Sequence, residues 1–208
     1  MHSDDALSIA ATLLDIKAVK LSPDAPFQWA SGIASPIYCD NRKILSYPTA
    51  RRAVRDAFVR AAAQWLDIQV IAGVASAGVP HGVLLAEALD LPFIYVRDKA
   101  KGHGLRNRIE GEVPAAGTRI LVIEDLISTG GSSLEAVAAL RDAGLEVVGV
   151  QAIFTYNFAE ADRRFAAANC ALATITDYTT LVEIALAHNY ISNDEFNLLK
   201  KWRTSVFC

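Results

Sequence analysis

The chain has only three cysteines in 208 residues, Cys39, Cys170 and Cys208, widely spaced and odd in number. That count excludes a disulfide framework and a zinc cluster, and suits free thiols in a reducing cytoplasm. No apolar run approaches the roughly 20 residues that a membrane-spanning helix needs. A basic excess is also missing: the net charge of −3 leaves no footprint for nucleic acid, so any charge that binds phosphate must be local. Met1 to Asp5 is acidic and precedes no apolar leader core, so export is not indicated. No Gly-x-x-x-x-Gly-Lys-Ser/Thr occurs, and the pair Gly102 and Gly104 lacks a third glycine and the strand-to-helix context around it. An ordinary ATPase and a dinucleotide oxidoreductase are thereby set aside.

What is present is a chain of ordinary globular composition, with 52% hydrophobic and 21% charged residues, long enough for one α/β domain (1–208) with a full core. Its organising stretch runs from Ile120 to Ser133 and changes character twice. Ile120 to Ile123 reads as a buried strand, Glu124 and Asp125 are adjacent acids, Leu126 and Ile127 follow, and Ser128-Thr129-Gly130-Gly131-Ser132 is a small-residue turn. Leu134 to Leu140 then takes helical spacing. Backbone N–H groups at a helix start bind a dianionic phosphate, and glycines let the backbone approach it. Thr129 and Ser132 add hydroxyl donors. Carboxylates repel phosphate but accept well from vicinal hydroxyls, so acid beside cradle reads as ribose 5-phosphate. The plainer alternative is a capping box of Ser132 with Glu135, which leaves the paired acids and paired glycines unexplained.

The acidic pair followed by Thr-Gly-Gly-Ser resembles the phosphoribosyl pyrophosphate signature of type I phosphoribosyltransferases. Trp29 to Tyr38 and Arg97 to His103 make the chain similar to the orotate phosphoribosyltransferases in particular. The resemblance implies a parallel-sheet core with helices on both faces, a small hood at about 20–41, and a mobile lid at about 97–118. It implies Arg97, Lys101 and His103 on the pyrophosphate, Lys101, His103 and Asp125 in catalysis, and the whole run Glu124 to Ser132 on phosphoribosyl pyrophosphate. It further implies Ser128 on orotate, Mg²⁺ held mainly by substrate and water, and a homodimer whose lids are shared between subunits. The chain departs from many relatives at three places: Asp98 and Ala77 stand where lysines occur, and Ala30 stands at a base-site lysine. Two rivals are a transferase for a purine base and a non-catalytic regulator that binds the same ligand.

Along the chain, spacing predicts a helix from about Ser3 to Val19 and strands at Phe27 to Trp29 and Pro36 to Cys39 around a Ser31-Gly32 turn. A helix opens at Pro48, and buried strands follow at Val70 to Ala75, Phe93 to Val96, Ile120 to Ile123 and Val147 to Phe154. Strands of this kind, joined by helices, place ligands at the carboxyl edge of a parallel sheet. Val96 to Arg119 has no apolar periodicity; basic and glycine-rich, it reads on composition equally as a lid or as a solvated charged loop, and the resemblance implies the lid. His81 reads as a surface residue at a helix start. Asp177 and Ser192 read as helix caps near the end of the chain.

Overall fold

The computed structural model describes residues 3–29, 32–98 and 108–206. Helix α1 (Asp4–Asp15) opens on Ser3, whose hydroxyl accepts from the Ala6 N–H at 3.2 Å. It ends earlier than the spacing predicts because Lys17 turns to φ 55°, and Val19 starts a strand instead. That strand, β1 (Val19–Leu21), precedes β2 (Phe27–Gln28), β3 (Ala34–Ser35) and β4 (Ile37–Cys39). The pairing also differs from the predicted hairpin: β2 pairs with β3, while β4 runs antiparallel to β1, Val19 opposite Cys39. A 3-10 helix (Asn41–Ser46) and α2 (Pro48–Ala62) follow, with Pro48 in the first turn where its missing N–H costs nothing.

The core sheet then assembles from β5 (Val70–Val74), β6 (Phe93–Val96), β7 (Ile109–Glu110), β8 (Arg119–Ile127), β9 (Glu146–Thr155) and β10 (Leu172–Asp177). Its order is β10-β9-β8-β5-β6-β7, parallel throughout except for β7. Between these strands run α3 (Gly78–Leu89), α4 (Gly131–Asp142) and α5 (Ala159–Ala167); α6 (Tyr178–Ala187) and α7 (Asn193–Ser205) close the chain. Alternate strand residues serve opposite faces. Leu121 and Ile123 join a core with α1, α2, α3, α6 and α7, while Ile120 and Val122 join a second core with α4 and α5. This is the parallel sheet predicted from the apolar runs, with helices on both faces as the resemblance implies. The predicted end caps are also present: Asp177 accepts from Thr180 N–H, and Ser192 with Glu195 forms a capping box.

The topology locates a site before any side chain is considered. From β5 the chain moves one way to β6, then returns past β5 to β8 and continues the other way to β9 and β10. The order reverses between β5 and β8, and the crevice beyond their carboxyl ends is where open α/β sheets bind ligands. Two other expectations are corrected here. The connection after Val96 is not without structure, because Ile109 is buried and β7 pairs with β6. His81 is not a surface residue: it is 2% exposed beneath Phe58, and burial lowers its pKa to about 4, so the imidazole is neutral. Among the described residues no helix is long and apolar enough to cross a membrane.

Candidate active site

Three loops meet at the crevice. The turn Ala75-Ser76-Ala77 links β5 to α3, the end of β8 carries Glu124, Asp125 and Leu126, and Cys39 to Arg42 arrives from β4. Together with Asp98 after β6 and Ser132 in α4 they line one open cavity of about 350 Å³. Gly78 permits this convergence, since any Cβ there would collide with the Ile123 carbonyl of β8. Beside it lies a second cavity of about 280 Å³, lined by Gln28, Trp29, Tyr38, Ser128 and Tyr156. Cys39 and Leu126 line both. One compartment is polar and acidic, and the other is aromatic.

The strand β8 continues through the acids to Ile127 rather than stopping at them. Glu124 is 5% exposed; its carboxylate accepts from the Asp125 N–H at 3.0 Å and from the Ser133 hydroxyl at 3.2 Å. Burial, and then the neighbouring Asp125 charge, hold the Glu124 carboxyl well above its ordinary value. Burial also raises Asp125, opposed by a hydrogen bond from Glu124 and by the positive charge of Arg42. Both carboxyls are thus held above their ordinary range, Glu124 by burial and by its neighbour, and Asp125 by burial against the opposing charge of Arg42. The Asp125 carbonyl accepts from the Asn41 amide at 2.7 Å, and Asn41 in turn accepts from the Cys39 thiol at 3.3 Å. Buried Asn41 thus fixes the hood strand to the acid corner. Burial pushes the Cys39 thiol up, so it acts as a neutral donor and not as a nucleophile.

A pH dependence follows from the raised Glu124 carboxyl. The folded chain holds a proton that the unfolded chain releases near the ordinary glutamate value of 4.5. Glu124 thus stabilises the fold fully below that value, and its contribution is lost as pH rises toward the raised folded pKa. Glu124→Gln removes this dependence. Its melting temperature is expected to gain on wild type as pH rises above the ordinary glutamate value of 4.5 in thermal denaturation. A difference that stays constant with pH would contradict the assignment.

The turn that the sequence reading assigns to a phosphate leads straight into α4. Gly130 is the N-cap of α4, no side chain caps the first turn, and Glu135 pairs with Arg108 at 3.3 Å instead of closing a box with Ser132. The capping-box alternative is therefore absent, and the first N–H groups of α4 are left for a ligand. Gly130 itself has φ +78°, and a Cβ on it would lie 2.6 Å from the Phe165 ring. The left-handed turn and the packing on α5 are by themselves enough to require a glycine here. Gly130→Ala is expected to destabilise the chain by about 2–5 kcal/mol, adding the left-handed penalty to overpacking, read as a fall in melting temperature. An unchanged melt would show that this turn is not under that constraint.

The structure thus brings together Glu124, Asp125, Leu126, Ile127, Ser128, Thr129, Gly130, Gly131 and Ser132 on one continuous corner, with Ser128 turned to the aromatic cavity. Arg97 is not among the residues lining either cavity; it pairs with Glu110 at 3.0 Å across β6 and β7. Lys101 and His103, with Lys99, Ala30 and Ser31, lie outside the described residues. Sequence reasoning missed Gln28, Asn41, Arg42 and Tyr156. Tyr156 was within reach, because it follows a buried parallel strand, at the edge where ligands bind. Its ring lies 5.1 Å from that of Trp29, whose indole N–H donates to the Ile37 carbonyl at 3.1 Å.

Residues 41–183 match the phosphoribosyl transferase domain family. The chain is 51% identical over 96% of both chains to orotate phosphoribosyltransferase of Streptococcus agalactiae. Its fold superposes on orotate phosphoribosyltransferase of Aeropyrum pernix with a TM-score of 0.77 at 27% identity, covering 88% of this chain and 99% of that one. Against UMP synthase of Leishmania donovani the TM-score is 0.83 at 27% identity, covering 96% of this chain but 42% of that longer one. The chain belongs to the phosphoribosyl transferase family, in its orotate phosphoribosyltransferase branch.

Proposed function

We infer that the chain is an orotate phosphoribosyltransferase, which transfers the 5-phosphoribosyl group of phosphoribosyl pyrophosphate to orotate and releases pyrophosphate in pyrimidine nucleotide synthesis. Relatives this similar set aside a purine transferase and a non-catalytic regulator. One structural observation carries the reading: the uncapped first turn of α4 stands beside a buried carboxyl pair at the point where the strand order reverses.

The roles of individual residues follow from charge. As pyrophosphate leaves C1′, positive charge builds on the ribose and negative charge on the leaving group, as in glycoside cleavage. Asp125 accepts from the ribose hydroxyls and lies near the cationic ring, and Glu124 holds its backbone in place by accepting from the Asp125 N–H. The amides of Gly131 to Ser133 and the Thr129 hydroxyl anchor the 5′-phosphate. The Ala75-Ser76-Ala77 turn offers amides and a hydroxyl to the diphosphate. Orotate is flat and stacks among Trp29, Tyr38 and Tyr156, with Ser128 in reach of a polar edge. Arg97, Lys101 and His103 are assigned to the departing pyrophosphate.

The hard carboxylate oxygens of Asp40, Asp98 and Asp125 around the cavity fit Mg²⁺, which these residues would hold through water and substrate oxygens. Bound there, Mg²⁺ supplies neutralising charge to the diphosphate. We assign one working domain, 1–208, with residues about 20–41 as hood and about 97–118 as lid. We also assign a homodimer in which each lid serves the partner's site. The engagement of Arg97 by Glu110, away from its own cavity, supports that arrangement. We assign it to the cytoplasm, where its free thiols Cys39 and Cys170 stay reduced.

The test is a comparison of bases. With phosphoribosyl pyrophosphate and Mg²⁺, pyrophosphate release is expected to require orotate and to fail with adenine, guanine or hypoxanthine. Release with a purine and none with orotate would overturn the reading.

A further inference from the structure

The cavity that is to receive a polyanion is itself acidic. Asp40, Asp98, Glu124 and Asp125 all line it, and the Ala75-Ser76-Ala77 turn brings no charge. Among the described residues that line it, Arg42 is the one basic side chain. Arg42 is two-thirds exposed, at 64%, and its Nε donates to Asp40 at 2.6 Å. Its two terminal nitrogens carry no hydrogen bond to another described residue, so the face of the guanidinium that binds oxyanions in pairs remains open. The residue also begins a rigid element. Asn41, immediately before it, is fully buried and bonded to the Asp125 carbonyl, and the 3-10 helix continues from there. Asp40 fixes one edge of the guanidinium, and Asn41 fixes the backbone beneath it.

We propose that Arg42 is a further substrate-binding residue, whose terminal nitrogens hold the diphosphate of phosphoribosyl pyrophosphate from the hood side of the cavity. It supplies, from within the same subunit, the positive charge that the Ala75-Ser76-Ala77 turn lacks. The diphosphate rather than the 5′-phosphate is the partner, because the uncapped amides of α4 already offer donors to the 5′-phosphate, whereas the Ala75-Ser76-Ala77 turn of the same cavity brings no charge. Arg42 does not line the aromatic cavity assigned to orotate. The proposal rests on the orotate phosphoribosyltransferase reading.

The probe is inorganic pyrophosphate with Mg²⁺, measured by calorimetry on the full chain, beside steady-state kinetics. Arg42→Gln keeps the length but removes the charge. It is expected to weaken pyrophosphate binding and raise KM for phosphoribosyl pyrophosphate by about 10- to 100-fold, the effect of losing a charge-assisted pair. KM for orotate and the melting temperature should hardly move, because the Asp40 pair is solvent-exposed. Arg42→Lys should recover part of the loss, as a point charge without the paired geometry. Unchanged pyrophosphate affinity in a folded Arg42→Gln variant would overturn the proposal, as would an equal loss of orotate and pyrophosphate binding. Wild-type turnover of orotate is the control that separates this failure from failure of the functional reading.

Discussion

Asp125→Asn is expected to reduce kcat by about 100- to 1000-fold, the range seen when one preorganised charge partner of a transition state is removed. The fold should survive the change. The backbone bonds that hold this corner, from Asp125 N–H to Glu124 and from Asn41 to the Asp125 carbonyl, do not involve the side chain being altered. Burial raises the carboxyl of Asp125, so a neutral amide removes a desolvation cost rather than adding one. Activity and stability should therefore separate: a large loss of turnover, with a melting temperature equal to or above wild type. The amide can still accept from one ribose hydroxyl, so binding of phosphoribosyl pyrophosphate falls less than kcat. Asn at this position with wild-type turnover would remove Asp125 from the chemistry. A collapsed fold with normal kinetics in the folded fraction would assign it to structure.

The corner containing Asp125 was legible in the sequence because it is local. Strand, acids, small-residue turn and helix follow one another within fourteen residues, and each has its own period or composition. The parallel sheet was legible for a similar reason, since strands buried on both faces read as near-continuous apolar runs. What escaped depended on pairing over distance. Nothing in Pro36 to Cys39 tells that this strand pairs with Val19 to Leu21 rather than with its nearer neighbour, and only that pairing carries Asn41 and Arg42 to the acid corner. His81 was misplaced because a lone polar residue at a helix start reads as exposed, while Phe58, from another helix, covers it. The reason for Gly130 also escaped, because the Phe165 ring that excludes a Cβ lies thirty-five residues further on. Lys101 and His103 rest on the family resemblance.

The proposed sharing of lids between subunits gives the second large expected effect. The stretch between Asp98 and Arg108 holds Lys99, Lys101 and Arg106 with Leu105 as its one large apolar residue, so on composition it has little with which to pack on its own subunit. An acidic ligand in a neighbouring site gives it a partner, and a twofold dimer offers that arrangement to both lids equally. Lys101→Ala and Asp125→Asn should each be nearly inactive alone. If lids act on the partner's site, a mixed dimer carries both defects at one site and neither at the other. Mixing equal amounts and allowing subunits to exchange should then restore about a quarter of wild-type activity, since half of the dimers are mixed and each has one intact site. If lids act within their own subunit, every site in the mixed dimer keeps one defect and activity stays at the level of the single variants. Mass measurement of the exchanged dimers separates absence of exchange from absence of sharing; mixed dimers without recovered activity would rule out the shared site.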